Sequence, residues 1–278
     1  MSAQEPRPEV LGFLAALGLK EEPLGMFYTD REPVKGFAPK PQNLPTKAME
    51  DRGEIDWQAA FSYFSCVLGN IWLARQKKTA AYFDRERYGC LGAAFFLGFA
   101  QPQLDFIAHF VSTGIPGQME GEHYLESPQV CRHFFDTIAP APAPARFCVF
   151  KPVSQFTPGE QPAVVIFFAR AEIICGLNQL ATFVTNDFEA VYSPFGAGCA
   201  NIVTWPRRYL AQGKLKAVLG GWDPSDRKFL KPDEITFAVP WEMFARMVRR
   251  WPESFLTTDT WNGVKKKIAR SYRVWKEE

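Results

Sequence analysis

The chain has 278 residues, 47% of them hydrophobic and 15% aromatic, with 25 Phe and 8 Trp. That much apolar material excludes a disordered chain, and 32 basic against 30 acidic residues leave a net charge of +2, too weak a field to point to nucleic acid or a membrane surface. No run approaches the ~18 apolar residues of a membrane span, and the segment Met1 to Glu22 lacks the basic start of a secretory signal. Six cysteines without close pairing then fit reduced thiols in a cytoplasmic protein.

In chain order, Lys35 to Glu54 carries three prolines among polar residues and reads as a loop. From Asp56 to Gln76 the spacing predicts a helix. Trp57, Phe61, Phe64, Leu68, Ile71 and Trp72 share one face, and Ala59, Ser62, Cys66, Gly69 and Leu73 the other. With no charged face before Arg75, this helix is expected to be buried on both sides, Cys66 at the centre of its small side. A second helix fits Gly89 to Ala100, with Cys90, Ala93, Ala94 and Leu97 on a small face, and a third fits Pro128 to Ile138.

The alternating stretch Ala139 to Arg146 reads as an extended spacer inside one unit. After it the pattern becomes mixed. "ARFCVFKPV" and Pro162 to Ala169 read as strands, Ala171 to Thr185 as a helix, and "FEAVYSPF" and "GKLKAVLGGW" as strand candidates. Asp233 to Pro240 is a further strand, followed by the helix "WEMFARMVRRW" and a last helix from about Asp259. The last helix lines Trp261, Val264, Ile268, Tyr272 and Trp275 along one stripe, with Lys265 to Lys267 and Arg270 on the solvated side. The expected fold is α+β: a mixed sheet flanked by helices, with a helix-rich N-terminal part packed on it, residues 1–278 forming one domain.

Familiar catalytic signatures are missing from the sequence: no nucleophile elbow, dinucleotide fingerprint, P-loop, zinc-protease motif or C-x-x-C. Cys131 and His133 are two residues apart and would point apart on a helix, so they do not suggest a shared metal. What stands out is "SPFGAGCANIVTWPRR", where Gly196, Ala197, Gly198 and Cys199 interrupt an aromatic-rich chain. If a helix starts near Gly198, Cys199 lies in its first turn, where free N–H groups favour a thiolate or an anion. The plainer reading is a glycine-rich turn whose cysteine fills a small gap.

Several stretches, in this order, resemble a known family: "LGLKEEPLGMFYTD", "GCLGAAFFLGF", "PAVVIFFARAEIICGLNQLA", "FGAGCANIVTWP" and "GGWDPSDRKF…DEITFAVPWEMF". Over Leu11 to Phe255 the chain resembles the uncharacterised ArCR family of archaeal and bacterial cytoplasmic proteins. The resemblance implies matches at Cys90, Gly92, Gly198, Cys199, Asp226 and Arg227. It implies no activity.

Three readings follow from the sequence. The first is a module binding a small molecule or cofactor of unknown identity. Its pocket would be walled by Cys66, Cys90, Gly196, Gly198 and Cys199, with Arg170 or Arg227 anchoring an anionic group. The second is an enzyme or redox protein that uses Cys199 as a reactive thiol, or an iron–sulfur or soft-metal site built from Cys66, Cys90 and Cys199. The third is a purely structural or interaction protein. Arg170 is singled out because it follows the strand Val164 to Phe168, where open sheets place ligand contacts; an ordinary surface ion pair is the alternative.

Overall fold

A run with no polar residue, Val164 to Ala169, can be satisfied only where both faces of a strand are covered. In the computed structural model, which describes residues 8–41, 45–56, 65–101 and 105–275, that run is β4 (Val164–Arg170), the middle strand of a seven-stranded sheet. It pairs antiparallel with β1 (Leu24–Thr29) on one side and β7 (Glu234–Pro240) on the other. Outward from β1 lie β3 (Phe147–Pro152) and β2 (Ala81–Phe83); outward from β7 lie β6 (Ala217–Gly220) and β5 (Val191–Tyr192). The β5–β6 pair is parallel, so the sheet is mixed and the fold is α+β. β1 and β2 precede the Ala/Pro stretch and the other strands follow it, so chain from both sides of the stretch builds one sheet.

Alternation along the central strands divides the core. Val164, Ile166, Phe168 and Ala238 face one cluster, together with Leu24 and Met26; Val165, Phe167, Ala169, Phe237 and Val239 face the other. The second cluster is covered by α1 (Pro8–Leu17), α7 (Ala171–Thr185) and α9 (Trp241–Arg250). The first is covered by α3 (Val67–Lys77), α4 (Leu91–Phe96) and the chain around Cys199 to Val203.

Most of the expected elements fall where the sequence places them: α6 (Pro128–Ile138), β3, β4, α7, β7, α9 and the start of the last helix at Asp259, with β5 and β6 inside their strand candidates. Others differ. β1, β2 and α1 are not among the expected elements. The expected loop Lys35 to Glu54 contains a short helix, α2 (Lys47–Asp51), capped by Thr46 and tied to Asp105 through Lys47.

The described part of the helix expected from Asp56 begins at Val67, with Cys66 extended before it (φ −58°, ψ 141°), and 57–64 lie outside the described residues. Ser65 donates its N–H to Gly89 O at 2.9 Å, and Asn70 Nδ2 reaches back to Ser65 Oγ and Cys66 O, both at 2.8 Å. Those bonds hold Cys66 off the helix, as the residue that precedes it. Nor is this helix buried all round, since Trp72 is 42% exposed.

The last helix, α10 (Asp259–Trp275), docks by Trp261 against Phe255, while Val264, Tyr272 and Trp275 are exposed. The Ala/Pro stretch is held against the body: Ala143 donates to Gly98 O at 2.9 Å and Arg208 to Ile138 O at 2.9 Å. Among the described residues no helix is long and apolar enough to cross a membrane.

Candidate functional site: a cavity of aromatic rings and thiols

Three cysteines stand at three helix starts. Cys66 precedes α3, and Cys90 is the N-cap of α4, where its Sγ accepts from Ala93 N–H at 3.3 Å. Cys199 lies in the first turn of a helix that begins at Gly198, passes through a π-helical segment (Ala200–Thr204) and continues as α8 (Trp205–Ala211). The Ser65–Gly89 hydrogen bond sets the first two starts side by side. Gly89 has φ +87°, and a side chain there would press on Ser65 O. Gly196 (φ +147°) makes the turn that delivers the third, since a Cβ there would sit 2.9 Å from Ala200 Cβ.

All three thiols line one cavity of about 870 Å³, a size usual for a drug-sized ligand. Its other walls are rings. Phe95 and Phe96 come from α4, Phe106 and Phe110 from α5 (Phe106–Val111), Phe134 and Phe135 from α6, and Phe229 from the turn that follows β6. The rings interlock, with Phe95–Phe135 centroids at 5.3 Å and Phe134–Phe195 at 5.0 Å. Phe195, Trp222 and Tyr124 are exposed where they meet the cavity; Trp222 Nε1 donates to Ser193 Oγ at 2.8 Å, and Trp205 Nε1 to Phe195 O at 2.9 Å.

The polar end of the cavity is acidic: Glu122, Asp223 and Asp226 line it, with Lys228 beside them. Asp226 is 3% exposed and accepts two hydrogen bonds, from Gly198 N–H at 2.8 Å and from the Cys66 thiol at 3.0 Å. The first of these is possible because residue 198 has no side chain: a Cβ would collide with Asp226 Oδ2 and lie 2.8 Å from Leu68 Cδ2. Burial, then the neighbouring Asp223 carboxylate, pushes the Asp226 carboxyl up to about 6. Burial, then Asp223 and Asp226, pushes Glu122 up to about 7.

The same surroundings act on the thiols. A helix N-terminus by itself eases a thiol toward thiolate. Here burial outweighs it, raising Cys90 to about 11 and Cys66 and Cys199 well above the ordinary thiol range, with the cavity carboxylates pushing the same way. At neutral pH these are protonated thiols. Of the N–H groups expected free at this helix start, that of Gly198 is already bonded to Asp226. Among the described residues no group of three or more His, Cys, Asp or Glu side chains is disposed to hold a metal ion.

Of the residues singled out from the sequence, Cys66, Cys90, Gly196 and Cys199 come together at the cavity, and Gly198 supplies the N–H behind it. Arg170 does not join them. It is exposed, pairs with Asp233 at 2.6 Å and lies over the Tyr272 ring at 5.1 Å. Arg227 is likewise absent from the lining, its guanidinium spent on the carbonyls of Gly221, Glu234, Lys231 and Pro232. Both arginines are occupied within the fold, and the cation that does border the cavity is Lys228. Sequence reasoning missed Glu122, Asp223, Lys228 and most of the rings. Asp223 carried a signal, since Asp-Pro-Ser is a capped turn, and Asp223 Oδ1 does accept from Ser225 N–H at 2.9 Å.

Fold and site together define an α+β protein whose sheet supports a large aromatic cavity edged by carboxylates. The family described as Uncharacterised ArCR matches residues 13–250, and the chain belongs to it. No curated protein and no solved structure matches the chain.

Proposed function

We propose that this is a cytoplasmic small-molecule-binding protein whose ligand, a compound with an apolar, ring-bearing body, occupies the cavity between α4, α5 and α6. The observation that carries the reading is the cavity itself: about 870 Å³ of space walled by aromatic rings, in a protein whose sheet is packed on both faces. Raised thiol pKa values speak against a nucleophilic cysteine, so the thiols serve as small, polarisable wall groups. All six cysteines are free, which supports a reducing compartment.

Gly92 offers a direct test. It lines the cavity within α4, and a Cβ there meets its nearest neighbour, Phe96, at an ordinary 3.8 Å. Gly92→Leu therefore fills the space without a backbone clash and improves local helix propensity. The neutral dye N-phenyl-1-naphthylamine should bind the wild-type protein saturably at one site. Gly92→Leu should weaken that binding about tenfold or more, a loss of about 1.4 kcal/mol, while the thermal midpoint holds. Equal binding by the two proteins would remove the cavity as the site.

A further inference from the structure

The charges around the cavity do not balance, and the imbalance says what kind of ligand completes it. Glu122, Asp223 and Asp226 face one ammonium, that of Lys228, and among the described residues none of the three carboxylates has a cation within 4.0 Å. Among the described residues, the other buried carboxylates, Asp84 and Glu234, are ion-paired. Glu234 is held by Arg75 at 2.7 Å, and Asp84 by Arg87 at 2.6 Å. Burying an unpaired carboxylate is costly, and both Glu122 and Asp226 show that cost by holding their protons more tightly than exposed acids do.

Resting on the small-molecule reading, we propose that the occupant is an organic cation: a protonated amine or other positively charged nitrogen on an apolar body. Its charge lies between Glu122 and Asp226, and its body lies among the rings. Two kinds of group in the cavity favour this class over an anion or a neutral lipid. The carboxylates attract the charge directly. The faces of aromatic rings, here Phe95, Phe134 and Phe229 among others, attract cations through their quadrupole. Lys228 does not compete, because its ammonium lies over the Phe229 ring at 5.2 Å and outside ion-pair distance of the three acids. An anionic ligand would meet three like charges with a single exposed lysine to offset them.

The test uses three probes that share one body: 1-naphthylmethylamine, 1-naphthalenemethanol and 1-naphthylacetate, each displacing N-phenyl-1-naphthylamine at about pH 8, above the ordinary carboxylate range. The amine should bind at least about tenfold tighter than the alcohol, and the acetate weakest of all. Glu122→Gln should close most of the gap between amine and alcohol while leaving the alcohol's affinity in place. Asp226→Asn should do the same; if it fails to fold, Glu122→Gln decides alone. An alcohol or acetate that binds as tightly as the amine overturns the cation proposal and leaves the cavity reading standing. If the naphthylamine dye itself does not bind, the cavity reading falls and the cation proposal with it.

Discussion

The carboxylate of Asp226 occupies the space that a side chain on residue 198 would fill. Gly198 N–H donates to Asp226 Oδ2 at 2.8 Å, and the two residues approach so closely that any Cβ at 198 must displace either the acid or Leu68. The glycine's smallness is therefore spent on contact with a carboxylate, which faces a cavity on its other side. The three cysteines are arranged around that contact.

Gly198→Ala should be destabilising. Asp226 is short and doubly bonded, so it cannot swing clear as the end of a long side chain could. Leu68 is buried and cannot yield freely either. Overpacking of this kind costs about 1–3 kcal/mol, which should appear as a lower urea midpoint with an unchanged slope. A midpoint equal to the wild type would mean that the helix start shifts to make room.

The cysteines were legible in the sequence for a reason that turned out incomplete. Small neighbours drew attention to Cys66, Cys90 and Cys199, and all three do reach one cavity. Helical periodicity, however, puts Cys66 in mid-helix, because it reads apolar spacing and does not see the Ser65–Gly89 bond beside the start of α3. The central strands were plain for the opposite reason: β4 and β7 are buried on both faces, so their apolar runs are continuous. The cavity was not legible. Phe96, Phe110 and Phe134 read as core on any helix, and only the arrangement of α4, α5 and α6 leaves space between them.

Cys199 should label slowly. Its thiol is buried, and its pKa is raised well above the ordinary value by that burial and then by the neighbouring Cys90, Asp226 and Cys66 groups. Cys175 is exposed and serves as the internal reference. With iodoacetamide at neutral pH, peptide mapping should show Cys175 modified first and Cys199 essentially protected until the protein unfolds. Faster labelling of Cys199, with a titration below the ~8.5 of a free thiol, would restore the reactive-thiol reading.

Glu122 should make the protein less stable as pH rises. Its folded-state pKa is about 7 against an ordinary 4.5, so between those values the folded protein keeps a proton that the unfolded chain has lost. Stability from this group is fully present below the unfolded value and is lost as pH rises through about 7. Glu122→Gln removes the titration. The variant should match the wild type near the ordinary carboxylate pKa and become the more stable of the two by pH 8, with the difference in thermal midpoint growing across the interval. A constant difference would show that Glu122 is solvated in the folded protein.

Arg75 should behave in the opposite way, and the contrast separates ion-paired acids from the unpaired acids of the cavity. Its guanidinium bonds Glu234 at 2.7 and 2.9 Å, bonds Glu21 as well, and lies 4.1 Å from the Phe168 ring centroid. The side chains of Arg75 and Glu234 are only 4% and 3% exposed, so α3 and β7 are joined by a bridge that water hardly reaches. Removing one partner of such a bridge leaves the other charge buried alone, which costs about 3–5 kcal/mol. Arg75→Met should therefore lower the denaturation midpoint strongly at neutral pH, since it leaves the buried Glu234 with only the exposed Lys231 at 3.8 Å. Removing the charge of Glu122 at the same pH strands no partner and is expected to raise the midpoint. If Glu234→Gln in the Arg75→Met background recovers most of the loss, the uncompensated carboxylate is its cause. If it recovers nothing, the loss comes from packing against Phe168, and the comparison between the two classes of acid does not hold.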